Sequence, residues 1–198
     1  GTAIIKGGSV NDHSASCEGD NIFLTGSGTV LNIYDNVQIL EANKTSNIYT
    51  VTNPSVNMYG GTVRDSIYMA ATASNNKGVF KMYGGTLDGS AFTYTDKSTA
   101  DKTYTYYGGC LYQYNGTQYD FTMTAGRMIG GYAQAGGCAY FGGNNKVNIP
   151  GGQFTDGKAN GGGGNIRMYG SDSYTKAEFN MSGAAVRDGR VEVTAAGG

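Results

Sequence analysis

Residues 56–63 read VNMYGGTV and residues 80–87 read FKMYGGTL, nearly the same eight letters with starts 24 residues apart. FTMTAGRM at 121–128, VNIPGGQF at 147–154 and FNMSGAAV at 179–186 share their pattern of apolar-x-apolar-x-small/Gly-x-x-apolar. LNIYDNV at 31–37 reads as an earlier copy, one residue shorter. Repeats spaced by roughly 25 residues, with longer gaps that read as insertions, mark an architecture of stacked coils.

The unit is a short strand. Val56 and Met58, Phe80 and Met82, and Phe121 and Met123 are apolar at period two, as in a strand with one buried face. The glycines that follow end the strand in a bend, after which Val63, Leu87, Met128, Phe154 or Val186 points inward again. A second recurring piece, GGCLY at 108–112, GGCAY at 136–140 and GGNIRMY at 163–169, adds a further strand to each coil. A helical repeat would need Ala, Leu, Glu and Lys at a spacing of about 3.6. This chain of 198 residues instead has 34 Gly, 16 Tyr, no Trp and only 15% charged residues. The reading is an all-β chain, a parallel β-helix in which equivalent strands of successive coils stack. About seven coils at roughly 4.8 Å each give a rod on the order of 35 Å long. A β-sandwich would also show frequent turns, but it leaves the recurrence of one motif from coil to coil unexplained.

The strings FKMYGGTLDGS, FTMTAGRMIGGYAQAGGCAYF and VNIPGGQFTDGKANGGGGNI resemble the F-x-M-x-G-G-T-I-x-G-N-x-A…G-G-G-V-Y repeats of bacterial right-handed β-helix surface proteins, found in large cell-wall or secreted proteins of gut Firmicutes. The likeness spans roughly residues 30–190. It implies a right-handed single-stranded solenoid, one β-helix domain over residues 1–198 that is part of a longer surface protein, and a secreted or cell-surface location. The chain departs from the repeat at the insert 90–107 and at Gly183-Ala184-Ala185, where a Gly-Gly pair is expected.

Composition excludes several classes of function. With 14 Lys and Arg against 15 Asp and Glu, and no basic cluster, the chain is not built to bind nucleic acid or an anionic membrane. It contains no apolar run long enough for a membrane span. A single histidine, His13, leaves no Ser-His triad, and His13 with Cys17 alone makes no zinc site, so neither metal nor cofactor is expected. Cys110 and Cys138 occupy the same place in GGCLY and GGCAY and should stack on adjacent coils as buried, reduced thiols. Asp65, Asp88, Asp156 and Asp188 recur just past the second inward position. Turn chemistry is the favoured reading, since Asp accepts hydrogen bonds within its own turn; the alternative is an aspartate edge that binds calcium, for which one Asp per coil supplies few of the six to eight oxygens needed.

The aromatic pattern is the most suggestive feature, read either as cross-strand stacking that stabilises the sheet or as a platform for a ligand. Tyr34, Tyr59 and Tyr83 each follow an inward residue, so alternation turns all three outward on three consecutive coils. On later coils the position becomes Thr124, Pro150 and Ser182. Asn32, Asn57, Asn148 and Asn180 form a parallel outward file. The insert 90–107, SAFTYTDKSTADKTYTYY, is polar with an aromatic tip, and loops that leave a regular scaffold often carry binding. The candidate ligand contacts are therefore Tyr34, Tyr59, Tyr83, Tyr104, Tyr106 and Tyr107, with a glycan or a protein as partner and no catalytic residues assigned. This favours an adhesin-like, noncatalytic module. The alternative is a carbohydrate-active β-helix enzyme, akin to a polysaccharide lyase or glycoside hydrolase, whose two carboxylates would have to stand about 5–10 Å apart.

Overall fold

A computed structural model describes residues 1–10, 21–40, 46–70, 77–90, 107–113, 119–143, 145–170 and 177–191. Every strand pairing in it is parallel, and successive coils supply successive strands of each sheet. The first sheet has seven strands, at Thr2–Ile5, Val30–Ile33, Ser55–Met58, Gly78–Met82, Tyr119–Met123, Lys146–Ile149 and Glu178–Met181. The second, also of seven, follows each of these after a short turn, from Gly8–Val10 to Ala185–Arg187. A third sheet of six strands runs from Ile22–Thr25 to Ile166–Tyr169. In the last three coils a short fourth sheet, Tyr132–Ala133, Lys158–Ala159 and Arg190–Val191, is interposed between the second and third. The chain is thus an all-β parallel β-helix, and the described residues contain no helix.

In-register stacking puts like residues on like. Leu31, Val56, Phe80, Phe121 and Val147 form one interior file of the first sheet, and Ile33, Met58 and Met82 pair onward to Met123 in the other. All of these are buried. The second sheet contributes Ile39, Val63, Leu87, Met128 and Phe154. The third contributes Ile48, Ile67, Leu111 and Ala139 beside Thr50, Met69, Gln113 and Phe141. Each such file loses its water-facing surface at a gain of roughly 25 cal/mol per Å² of apolar area. The turn from the first sheet to the second is tight: Gly85 has φ +85, and a Cβ there would stand 2.7 Å from the backbone of Gly60 in the coil below. Both conditions select glycine.

Two details differ from the sequence reading. The first coil is itself a copy, AIIKGGSV at 3–10, with Ala3 on Leu31, Ile5 on Ile33 and Val10 on Ile39. Its small residues and Lys6 disguise it. The copy at 31–39 is one residue longer than the motif, not shorter: Ile39, rather than Val37, pairs with Val63. The extra residue is accommodated in the turn, where Asn36 adopts φ 65, a conformation Asn tolerates better than most side chains.

The corner before each third-sheet strand carries a polar file: Asn21, Asn47, Ser66, Cys110, Cys138 and Asn165. Asn47 Nδ2 donates to the carbonyls of Leu40 and Arg64, each at 2.6 Å, and Asn21 Nδ2 donates to Leu40 at 3.1 Å and to Asn47 Oδ1. Asn165 Nδ2 donates to Arg187 O at 2.7 Å while its Oδ1 accepts from Gly157 N at 2.9 Å. The two cysteines take the same role with weaker donors, Cys110 Sγ reaching Ile129 O at 2.9 Å and Cys138 Sγ reaching Thr155 O at 3.3 Å. Both are free, fully buried thiols on adjacent coils. Burial first, and the neighbouring Cys138 second, push the Cys110 thiol well above its usual range and keep it protonated.

Candidate functional site

Tyr34, Tyr59 and Tyr83 stand side by side on the outer face of the first sheet. The Tyr34 and Tyr59 rings stack at 4.8 Å and 17°, and the Tyr59 and Tyr83 rings at 5.1 Å and 7°. The spacing is that of the coils, so the backbone register itself sets the stack. Tyr59 and Tyr83 are each 41% exposed, and Tyr34 is half-buried. Stacking also decides which atoms a ligand meets. Ring faces are turned against each other along the rod, leaving ring edges outward. On the next coil the corresponding position is the small, exposed Thr124.

Beside this stack runs the file of Asn32, Asn57, Lys81, Thr122, Asn148 and Asn180. Asn57 Nδ2 donates to Asn32 Oδ1 at 2.9 Å, so the amides ladder from coil to coil as well. Lys81 and Thr122 interrupt the asparagines next to Tyr83. The first sheet thus presents a polar row and an aromatic row in parallel.

The sequence also assigned ligand contacts to the insert. Tyr104 and Tyr106 lie outside the described residues. Tyr107 is placed on the third sheet's side of the rod, where it bridges Ala135 and packs its ring against Tyr140 at 4.6 Å and Tyr112 at 5.5 Å. It belongs there to a second aromatic row that the sequence reading missed. Phe23, Tyr49, Tyr68, Tyr112 and Tyr140 occupy one outward position of the third sheet on five successive coils. Their rings alternate between parallel and edge-on contacts, at 5.8, 4.7, 4.9 and 5.4 Å in that order. The signal was present as a polar residue, an apolar residue and an aromatic: NIF, NIY, SIY, CLY and CAY. It went unread because the first three lack the Gly-Gly that marks the last two. Tyr112 and Tyr140 are only 5% and 3% exposed, and with Ala135, Tyr68 and Tyr107 they form a small second core.

The aspartates sit where turn chemistry puts them. Asp65, Asp156 and Asp188 have φ of 60, 60 and 54, in the left-handed region at the corner after the second sheet. Asp88 lies in the neighbouring file, paired with Arg64 and Ile129. Among the described residues no three His, Cys, Asp or Glu side chains are grouped to hold a metal ion, and no helix is long and apolar enough to cross a membrane. No known family, curated protein or solved structure matches this chain. Its class, an all-β parallel solenoid, therefore rests on its own register and packing.

Proposed function

We propose that this chain is a noncatalytic β-helix module of a bacterial secreted or cell-surface protein, of the kind built from F-x-M-x-G-G-T repeats, and that it is adhesin-like. Its ligand is a glycan or a protein held on the outer face of the first sheet. The observation that carries this reading is the exposed stack of Tyr34, Tyr59 and Tyr83 alongside the amide file of Asn32 and Asn57. Rows of phenol hydroxyls and amides, repeated at the coil spacing, suit an extended ligand rich in hydroxyls or backbone amides. Lys81 and Thr122 beside Tyr83 add an ammonium group and a hydroxyl to this polar row. Tyr is well fitted to the task because it offers a large contact area at little cost in side-chain entropy.

A double substitution, Tyr59→Ser with Tyr83→Ser, tests the reading on a glycan array and in protein pull-downs. Each ring contributes on the order of 1 kcal/mol, so losing both lowers affinity about thirtyfold. Binding that survives intact assigns the stack a structural role only. Release of reducing or unsaturated sugar ends by the wild-type chain, abolished by substituting Asp65 or Asp88, would overturn the noncatalytic reading.

A further inference from the structure

On three consecutive coils Asn32 and Tyr34, Asn57 and Tyr59, and Lys81 and Tyr83 stand two residues apart, in or just past the strands Val30–Ile33, Ser55–Met58 and Gly78–Met82. A side-chain amide carries two N–H donors and two acceptor lone pairs. The bond from Asn57 Nδ2 to Asn32 Oδ1 uses one donor of the first and one lone pair of the second, so both amides keep donors and acceptors to spare. Among the described residues no hydrogen bond reaches the hydroxyls of Tyr34, Tyr59 or Tyr83, and each phenol is again donor and acceptor together. A ligand hydroxyl has the same double character, whereas a carboxylate only accepts and an ammonium only donates. Charge points the same way. Lys81 is the single charged residue in either row over these coils, the third outward row there is Val30, Ser55 and Val79, and beside it Lys77 and Asp120 neutralise each other at 3.3 Å.

Spacing narrows the ligand further. The tyrosine row advances by one coil at a time, 4.8 and 5.1 Å between successive rings. An extended peptide laid along the rod advances roughly 3.3 Å per residue, and about twice that between side chains of one face, so it matches neither step. A peptide strand added across the rod needs a free sheet edge. All three strands are interior to their sheet and paired on both sides. A pyranose linked through equatorial bonds advances by about the length of its own ring, close to one coil, so each sugar meets the same pair of positions as the sugar before it. The two rows lie roughly 7 Å apart, two residues along a strand, which leaves room for a sugar ring between them with hydroxyls toward both.

Resting on the assignment of the first sheet's outer face as the binding surface, we propose that the ligand is a neutral, linear, equatorially linked glycan. It runs along the rod axis with one sugar per coil, between the row of Asn32, Asn57 and Lys81 and the row of Tyr34, Tyr59 and Tyr83. The site spans three sugars, because the tyrosine position becomes Thr124 on the following coil and Lys6 on the preceding one. Recognition is by hydrogen bonds to ring edges and amides, since the ring faces are occupied by one another.

Calorimetric titration of the 198-residue chain with cello-, manno- and xylo-oligosaccharides of two to six units tests this. Affinity for at least one series should rise roughly fivefold from two units to three, as one added net hydrogen bond supplies, and then level off. Tyr59→Phe removes one hydroxyl and keeps the stack, so it should melt like wild type and bind the trisaccharide about fivefold more weakly. Should it melt early, Asn57→Asp gives the same reading, because a carboxylate keeps the shape of the amide without its donors. Oligomannuronates that bind more tightly than neutral chains of equal length, or an affinity that does not grow from two units to three, overturn this proposal while a glycan on the first sheet stands. A protein partner lost with Tyr59→Ser and Tyr83→Ser, in the absence of any oligosaccharide binding, overturns the glycan and keeps the binding face. Oligosaccharide binding that is unchanged in that double variant, or no binding of either kind, overturns both.

Discussion

Two aromatic rows run along this rod, one on the first sheet and one on the third, and the same register builds both. On the first sheet, Tyr34, Tyr59 and Tyr83 stack nearly parallel with their edges in solvent. On the third, Tyr68 and Tyr112 stack, but Tyr49 meets Tyr68 and Tyr140 meets Tyr112 edge-on, and Tyr107 wedges against Tyr112 and Tyr140. The difference lies in what covers each row. A row exposed to water gains only ring-on-ring contact, on the order of 1 kcal/mol per pair. A row overlaid by further side chains becomes a core, and there each ring also contributes the transfer of its whole surface from water. An outward-facing tyrosine is thus a surface feature on one sheet and a structural one on another.

The largest expected effect tests the buried row. Tyr112→Ala should lower the stability to urea unfolding by about 3–5 kcal/mol, the range for removing a large aromatic from a packed site. A loss below about 1 kcal/mol would show that the third-sheet row behaves like a surface row after all.

A third tyrosine, Tyr119, extends the comparison inward. It lies fully inside the rod, in a space that Gly78 leaves free, with its hydroxyl 3.0 Å from Thr50 Oγ1. Burial pushes its phenol up to about 12, against the opposing hydrogen bond with Thr50. The folded chain therefore holds this proton at a pH where the unfolded chain has released it. The associated stability is complete below about pH 10 and lost as pH rises to about 12, by roughly 2–3 kcal/mol in all. Tyr119→Phe should flatten that part of the alkaline stability profile, as followed by unfolding at a series of pH values. An unchanged alkaline slope would refute the assignment.

The polar corner gives a smaller effect. Asn47→Ala removes a donor from the carbonyls of Leu40 and Arg64 and should cost about 1–3 kcal/mol. Asn47→Asp should not restore it, because an ionised carboxylate has no proton to donate. Equal stability of wild type and Asn47→Ala would show that the file is incidental to the corner.

The smallest effect belongs to the exposed row. Tyr59→Ser should lower stability by no more than about 1–1.5 kcal/mol, since only stacking is lost. A loss as large as that of Tyr112→Ala would erase the distinction between the rows and weaken the case for a ligand on the first sheet.

Several features were legible in the sequence. Period-two apolar residues fixed which side chains face inward in the first sheet, and the 25-residue recurrence implied that like strands stack. From those two facts followed the outward stack of Tyr34, Tyr59 and Tyr83 and the adjacency of Cys110 and Cys138. Each depends only on alternation along a strand and on register between coils, and both are set by local spacing. The third-sheet strands at 22–25, 48–51 and 67–69 were harder to see. Their turns lack the Gly-Gly marker and use a corner Asn or Ser, whose role appears only when its amide reaches carbonyls from other parts of the coil.

What the sequence could not decide is what lies on top of an outward residue. Tyr59, just past a first-sheet strand, and Tyr112, inside a third-sheet strand, both point outward by alternation, yet one is 41% exposed and the other 5%. Tyr107, held by its bridge to Ala135, reaches Tyr112 and Tyr140, a contact that depends on the path of the whole coil. The sequence by itself determined the direction of the repeated side chains in the first sheet, because strand geometry and repeat length fix it. Tertiary structure alone decided burial and open space, because these depend on atoms that are distant along the chain and meet only when the coils close.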